Sequence, residues 1–204
     1  MLTRFRNNAC ALALAAISIA VTGKADPPSA EIGKAAPGVS LKDLEGKTRS
    51  LSEFTGKIVV LEWTNPNCPV VRRTYGSNIL PALQKEYTAR GVVWLTVNST
   101  NPDHDESETP AAQKERYAGW KASPTAQLLA LEGTVGRTYG AKTTPHMFII
   151  DGKGALAYNG AVDDDPRGAN AERKAFVKDA LDALLAGKAV AVSVSKPYGC
   201  GVKY

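Results

Sequence analysis

One cysteine of this chain stands where a thiol could react. Cys68 follows a short apolar run, Val59 to Trp63, and a polar turn, Thr64 to Asn67, and Pro69 comes next. The run predicts a buried strand, and Pro69 suits the first position of a helix, so Cys68 would stand at a helix N-terminus. The free N–H groups and the dipole at such an end stabilise a thiolate, the nucleophilic form of cysteine. A buried, unreactive cysteine is the alternative, but the turn and the proline favour a reactive thiol.

The first 25 residues predict export of the protein. Two arginines precede an apolar stretch from Ala9 to Thr22, and Gly23-Lys24-Ala25 then places small residues where a signal peptidase reads the chain. Together these features predict a secretory signal peptide over residues 1–25. The apolar stretch is short for a spanning helix, which makes a membrane anchor the weaker alternative. We therefore expect a periplasmic or extracellular protein without stable membrane insertion.

Removal of residues 1–25 would change both the charge and the cysteine count. Three of the 25 Lys and Arg residues would leave, so 22 basic residues would face 20 acidic ones and the net charge would fall from +5 to +2. No basic stripe with interleaved aromatic residues remains, so nucleic acid is not an expected partner. Cys10 would leave as well. The remaining two cysteines, Cys68 and Cys200, are a disulfide candidate in an oxidising compartment.

The rest of the chain alternates between predicted strands and helices, with no internal repeat and no linker that would divide it. The predicted elements include a hairpin over Val39–Leu51, helical pieces over Pro69–Ala89, a strand over Val92–Val97, a helix over Thr109–Trp120, a strand after Pro145 and a helix over 171–186. The polar segment Asn98–Thr109 is interpreted as a solvated surface loop. Residues 26–186 would then form one domain, and residues 187–204 an extended C-terminal arm carrying Cys200.

This order of elements resembles that of a thioredoxin-fold redoxin over roughly residues 30–186. The matching residues are Gly56-Lys57, Trp63, Cys68-Pro69, Tyr139-Gly140, Thr144-Pro145 and Asp151-Gly152-Lys153-Gly154. They are most similar to the peroxiredoxin-like branch of the alkyl hydroperoxide reductase and thiol-specific antioxidant (AhpC/TSA) family. The resemblance implies an α/β fold, with a central mixed sheet flanked by helices, an N-terminal β-hairpin and the extended C-terminal arm.

The resemblance also implies roles for single residues. Cys68 would be the attacking thiolate, Cys200 the resolving cysteine, and Pro145 a cis-proline facing the active-site loop. The loop and its support would comprise Trp63, Thr64, Asn65, Pro69, Arg72, Thr144, Pro145 and His146. No cofactor and no metal are implied.

Two positions depart from the patterns of related families. Asn65 stands where thioredoxins would have the first cysteine of Cys-x-x-Cys, and where peroxiredoxins have a threonine. Leu61 stands at the peroxiredoxin proline position. Arg72 or Arg73 could supply some of the missing positive potential, and two solvated surface arginines are the alternative.

Several mechanisms remain open from the sequence. The resemblance implies a thiol-dependent peroxidase or a thiol-disulfide oxidoreductase, in which Cys68 attacks a peroxide or a protein disulfide and an external thiol reductant restores the pair. The remote partner Cys200 favours the peroxide. A copper-binding or copper-delivery protein using Cys68 and His146 is a second hypothesis, in which Met147 could add a thioether ligand unless it packs into the core beside Ile149. A permanent Cys68–Cys200 disulfide is a third, and would contribute about 4 kcal/mol. Glu62 is a lesser candidate, either as a buried proton relay or as an outward-facing residue.

Overall fold

A computed structural model describes residues 29–204 of the chain. The predicted signal peptide, residues 1–25, lies outside the described residues. The strands are β1 (Ser40–Asp43), β2 (Thr48–Ser50), β3 (Val59–Trp63), β4 (Val93–Asn98), β5 (Ala126–Leu129), β6 (Thr143–Thr144), β7 (His146–Ile150), β8 (Leu156–Gly160) and β9 (Cys200–Gly201). The helices are α1 (Pro69–Gly76), α2 (Ile79–Ala89), α3 (Pro110–Gly119), α4 (Thr134–Tyr139) and α5 (Phe176–Leu185), with a 3-10 helix over Leu51–Phe54.

Seven strands form one mixed sheet in the order β2-β1-β5-β4-β3-β7-β8, which confirms the predicted fold class. β3 lies inside the sheet, parallel to β4 and antiparallel to β7. All five of its residues are buried. A strand paired on both edges and covered on both faces needs continuous apolar sequence, and Val59-Val60-Leu61 supplies it. The sheet therefore fixes the end of β3, from which the loop Thr64–Asn67, the expected active-site loop, leads to Cys68.

Helices cover the sheet on both faces. One core cluster joins the sheet to α1, α2, α3 and α5, and the other includes Tyr139 of α4. The predicted break between the helical pieces lies at Ser77-Asn78, where Asn78 adopts a left-handed conformation with φ of 60°. Pro81 lies within the first turn of α2, where its missing N–H leaves no helical hydrogen bond unmade. The break follows from the left-handed Asn78 and not from the proline.

The chain beyond α5 is extended and returns across the sheet edge. Ser195 donates its N–H to the carbonyl of Asn159 and accepts the N–H of Ala161 through its hydroxyl. The chain then forms β9, which pairs antiparallel with β6. The sequence did not predict this second, two-stranded sheet, because two-residue strands carry no periodic signal.

Candidate active site

Cys68 caps the N-terminus of α1. It has extended backbone angles, and Pro69 occupies the first position of the helix. The side chain of Cys68 is fully buried, and its thiol donates to the carbonyl oxygen of Thr144 over 3.1 Å. Thr144 precedes Pro145 through a cis peptide bond. The structure thus places Cys68 and the Thr144-Pro145 turn in direct contact.

The same turn holds Cys200. Thr144 is the register partner of Cys200 in the β6–β9 pair, and Val202 donates its N–H to the carbonyl of Lys142. Cys200 is half-buried and packs against the core cluster that contains Cys68. Thr144 therefore contacts both cysteines, which lie 132 positions apart in the sequence.

The surroundings of the two thiols shift their pKa values in opposite directions. Burial acts to raise the pKa of Cys68, but donors around the sulfur outweigh it and lower that pKa below its usual value. The donors are the thiol and N–H of Cys200, the hydroxyl of Thr144 and the N–H of Val71. Burial and the neighbouring Cys68 raise the pKa of Cys200 to about 11. Cys68 is thus the more acidic of the two thiols and Cys200 the less acidic.

The hydroxyl of Thr144 has a further feature. Within residues 29–204 it is one of few buried side-chain oxygens without a hydrogen-bond partner of its own. It is therefore free to donate to a negative charge on Cys68. Ionisation of Cys68 would satisfy a group that the thiol form leaves unpaired.

His146 has no unpaired ring nitrogen for the copper ion that the copper hypothesis requires. Its Nδ1 accepts the N–H of Lys142, its Nε2 lies 2.8 Å from Oδ1 of Asn159, and its ring packs against Phe148. Both ring nitrogens are thereby occupied. Burial lowers the pKa of His146 to about 4, so the ring is neutral and Nε2 donates to Asn159. His146 supports the backbone of the turn.

The polar segment Asn98–Thr109 forms a surface loop as predicted, but it is solvated only in part. Asn98, Ser99 and Thr100 are buried. Glu106 and Glu108 are half-buried and accept hydrogen bonds from the active-site loop. Glu106 accepts from the amide of Asn65 at 2.7 Å, and Glu108 from that of Asn67 at 3.0 Å. Neither glutamate was predicted from the sequence. The available signal was that the side-chain amides of Asn65 and Asn67 need hydrogen-bond partners.

The remaining predicted site residues serve mainly to hold the loop. Trp63 is fully buried and donates its indole N–H to the hydroxyl of Ser99 at 3.1 Å. The hydroxyl of Thr64 lies 2.8 Å from that of Tyr117. Arg72 is exposed and donates to the carbonyl of Pro66 and to Oδ1 of Asn67. Its guanidinium group thus stabilises the loop. These contacts do not support the expectation that Arg72 supplies positive potential at the thiol of Cys68.

Glu62 is completely buried and is not outward-facing. Its carboxylate accepts hydrogen bonds from Tyr75 at 2.6 Å, Trp94 at 2.8 Å and Gln84 at 3.1 Å. Burial raises its pKa, and the three donors lower it only in part. The glutamate ties β3 to α1, α2 and β4 beneath the active-site loop.

The arrangement offers thiol chemistry. A thiolate at a helix N-terminus beside a second, protonated thiol can attack an electrophilic oxygen or sulfur, and the second thiol can then form a disulfide with it. Residues 29–204 hold no group of three or more His, Cys, Asp and Glu side chains able to bind a metal. Among the same residues, no helix is both long and apolar enough to span a membrane.

Comparisons with known proteins agree with this fold. A hypothetical protein from Sinorhizobium meliloti 1021 is 25% identical with a TM-score of 0.77, over 86% of this chain and 96% of that one. An uncharacterised conserved protein from Geobacillus kaustophilus is 26% identical with a TM-score of 0.76, over 85% and 92%. A proposed thiol:disulfide interchange protein DsbE from Chlorobium tepidum is 27% identical with a TM-score of 0.53, over 64% and 85%. No curated protein matches the chain.

The family follows from the extent of the sequence match. Residues 32–159 match the AhpC/TSA family, and this stretch spans β1 to β8 and includes Cys68 and Pro145. Cys200 and its strand lie beyond it. With its thioredoxin fold, the chain belongs to the AhpC/TSA family of redoxins.

Proposed function

We propose that this protein is an exported, peroxiredoxin-like thiol oxidoreductase in which Cys68 attacks the oxidant and Cys200 resolves the product. The observation that carries the proposal is the pairing of Cys200 with Thr144, the residue whose carbonyl accepts the Cys68 thiol. Two thiols of unlike acidity at one turn are suited to successive roles, because the more acidic one supplies the nucleophile.

The cycle balances without a cofactor. The Cys68 thiolate attacks one oxygen of a peroxide, the O–O bond breaks, and an alcohol or water leaves with a proton. Cys68 becomes a sulfenic acid. Cys200 then attacks the Cys68 sulfur, a disulfide forms, and water leaves. An external thiol reductant supplies the two electrons that return both cysteines to the thiol state.

The burial of Cys68 favours a small oxidant. Its side chain has no exposed surface, and the C-terminal arm lies over the turn that contacts it. A protein disulfide would have to displace the arm before reaching the sulfur, whereas a peroxide needs only a narrow opening. A protein disulfide remains the alternative substrate and would use the same two cysteines.

A reversible disulfide also suits the exposure of the pair better than a permanent one. Cys200 is half-buried, so one sulfur of a Cys68–Cys200 disulfide would be open to an external thiol. A permanent structural disulfide is expected to be inaccessible and resistant to reduction. The copper alternative gains no support, because both nitrogens of His146 already have partners.

The test is the mass of reduced residues 26–204 after one equivalent of hydrogen peroxide. We expect the wild-type protein to lose both thiol hydrogens as an intramolecular Cys68–Cys200 disulfide. The Cys200→Ser variant should instead hold a sulfenic acid on Cys68, which dimedone traps. A free Cys68 thiol after peroxide in both proteins would overturn the proposal.

A parallel reaction separates the two substrate classes. The reduced protein is mixed with hydrogen peroxide or with insulin, whose disulfides are carried by a protein. We expect disulfide formation in the enzyme to be much faster with peroxide. Faster oxidation by insulin would overturn the peroxidase assignment and leave a disulfide oxidoreductase.

A further inference from the structure

The segment that carries Cys200 is anchored on both sides of the cysteine. Two residues before it, the hydroxyl of Tyr198 donates to the buried carboxylate of Asp163. Three residues after it, Lys203 meets Glu106 of the polar loop, with Nζ 3.3 Å from Oε1. The backbone carbonyl of Lys203 also accepts the N–H of Asn101 at 2.7 Å. The polar loop therefore binds the arm just beyond Cys200.

Glu106 is the residue that joins the two halves of the site. Its Oε2 accepts from the amide of Asn65, three residues before Cys68, while its Oε1 pairs with Lys203, three residues after Cys200. Its backbone carbonyl accepts from Asn67 at 3.1 Å. One carboxylate thus bridges the loop that leads to the attacking thiol and the arm that bears its partner.

We propose that Glu106 is a positioning residue that clamps the C-terminal arm to the active-site loop and thereby sets how often Cys68 is uncovered. The consequence for resolution rests on the proposed function, since a docked arm keeps Cys200 at the turn where Cys68 would become a sulfenic acid. The negative charge of Glu106 also contributes to the raised pKa of Cys200, which agrees with its closeness to that thiol.

The test measures opening of the arm and needs no peroxide. In a Cys200→Ser background Cys68 is the reactive thiol of residues 26–204, and a bulky maleimide can reach it only when the arm lifts. Glu106→Gln keeps an oxygen for Asn65 but loses the ion pair, and Lys203→Met loses it from the other side. Each substitution should raise the modification rate about two- to fivefold, as expected for a half-exposed pair.

A double-mutant cycle separates the clamp from other effects. If the two side chains act through each other, the double variant reacts no faster than the faster single variant. The two substitutions change the local charge in opposite directions, so a purely electrostatic effect on the Cys68 thiolate would change the two rates in opposite directions. A clamp raises both rates, and Lys203→Arg should restore the original rate.

Matched controls use charges of the same kind elsewhere. Glu115→Gln removes an exposed carboxylate of α3, and Lys196→Met removes an exposed cation of the same arm. Both should leave the rate unchanged. Equal rates for wild type and the Glu106 and Lys203 variants, or effects matched by these controls, would overturn the clamp.

The outcomes distinguish the clamp from the proposed function. Faster maleimide reaction in the clamp variants together with no peroxide-induced disulfide in the wild type would leave the clamp standing and remove the proposed function. If peroxide produces the disulfide while the maleimide rates stay equal, the proposed function stands and the clamp is removed.

Discussion

The two ends of the active site are built by different means. Cys68 owes its position to its immediate neighbours: a buried strand, a short turn and a proline that begins α1. Cys200 stands on a two-residue strand, and its pairing with Thr144 together with contacts of Tyr198, Val202 and Lys203 holds it in place. The local thiol is buried with a lowered pKa, and the remote thiol is half-exposed with a raised one.

In the proposed cycle, this difference would divide the reaction between a rigid part of the chain and a part that can lift away. The nucleophile needs fixed donors, and the end of a helix packed in the core provides them. In that cycle Cys200 must approach a modified sulfur and later meet an external reductant, so it would gain from a segment that opens more readily than the core. Changes on the arm should therefore alter resolution without disturbing the fold.

The largest effect is expected at Gly199. Its φ of +134° lies in a region that L side chains rarely adopt, and a Cβ there would lie 2.1 Å from the carbonyl oxygen of Thr144. We expect Gly199→Ala to displace β9 and to slow peroxide-induced disulfide formation roughly a hundredfold, since such strain and overpacking cost about 3 kcal/mol together. Stopped reactions analysed by mass would measure the rate.

Gly201→Ala is the matched control for this change. Gly201 lies in β9, on the other side of Cys200 from Gly199, and a Cβ there would meet nothing within 4 Å. Its disulfide should form at close to the wild-type rate. A slow Gly201→Ala variant, or a fast Gly199→Ala variant, would show that the position of β9 does not control resolution.

A smaller change should reveal how the arm assists the local thiol. Cys200→Ala removes the thiol that hydrogen-bonds Cys68, so the pKa of Cys68 should rise towards its ordinary value. The ultraviolet absorbance of the thiolate, followed against pH, reports the midpoint. An unchanged midpoint would mean that the helix end and Thr144 alone determine the acidity of Cys68.

The smallest effect on disulfide formation is expected at His146, whose Nδ1 accepts the N–H of Lys142, the residue whose carbonyl binds Val202 of the arm. The pKa of His146 is about 4 in the folded protein, below the usual 6.5, so the unfolded chain takes up the proton first as pH falls. Its contribution to stability is therefore present above pH 6.5 and is lost between pH 6.5 and 4. The loss amounts to about 3 kcal/mol at most.

Denaturant unfolding of wild type and His146→Gln across this pH range measures the contribution. The difference in unfolding free energy between the two proteins should shrink as the pH falls. A constant difference would show that His146 has the same pKa in the folded and the unfolded protein. The rate of disulfide formation with peroxide, measured at the same pH values, would show whether protonation of His146 also loosens the C-terminal arm.

The sequence alone determined the part of the site around Cys68, which is built from residues close together in the chain. The strand before Cys68 and the helix after it follow from an apolar run, turn residues and a proline, all of which act within a few residues of one another. The resemblance to a known family added the fold class and the expected roles of Cys68, Pro145 and Cys200. The cis Thr144–Pro145 bond is present in the structure, whereas the catalytic roles themselves stay predictions.

Only the tertiary structure decided which groups surround the two thiols. Glu106 and Glu108 belong to a segment whose composition indicates a solvated loop, yet they bind Asn65 and Asn67. No periodicity predicts that β9 pairs with β6, because the pairing depends on long-range contacts of Tyr198, Lys203 and Gly199. Chain connectivity places Cys200 on an arm, and packing alone brings it to Cys68.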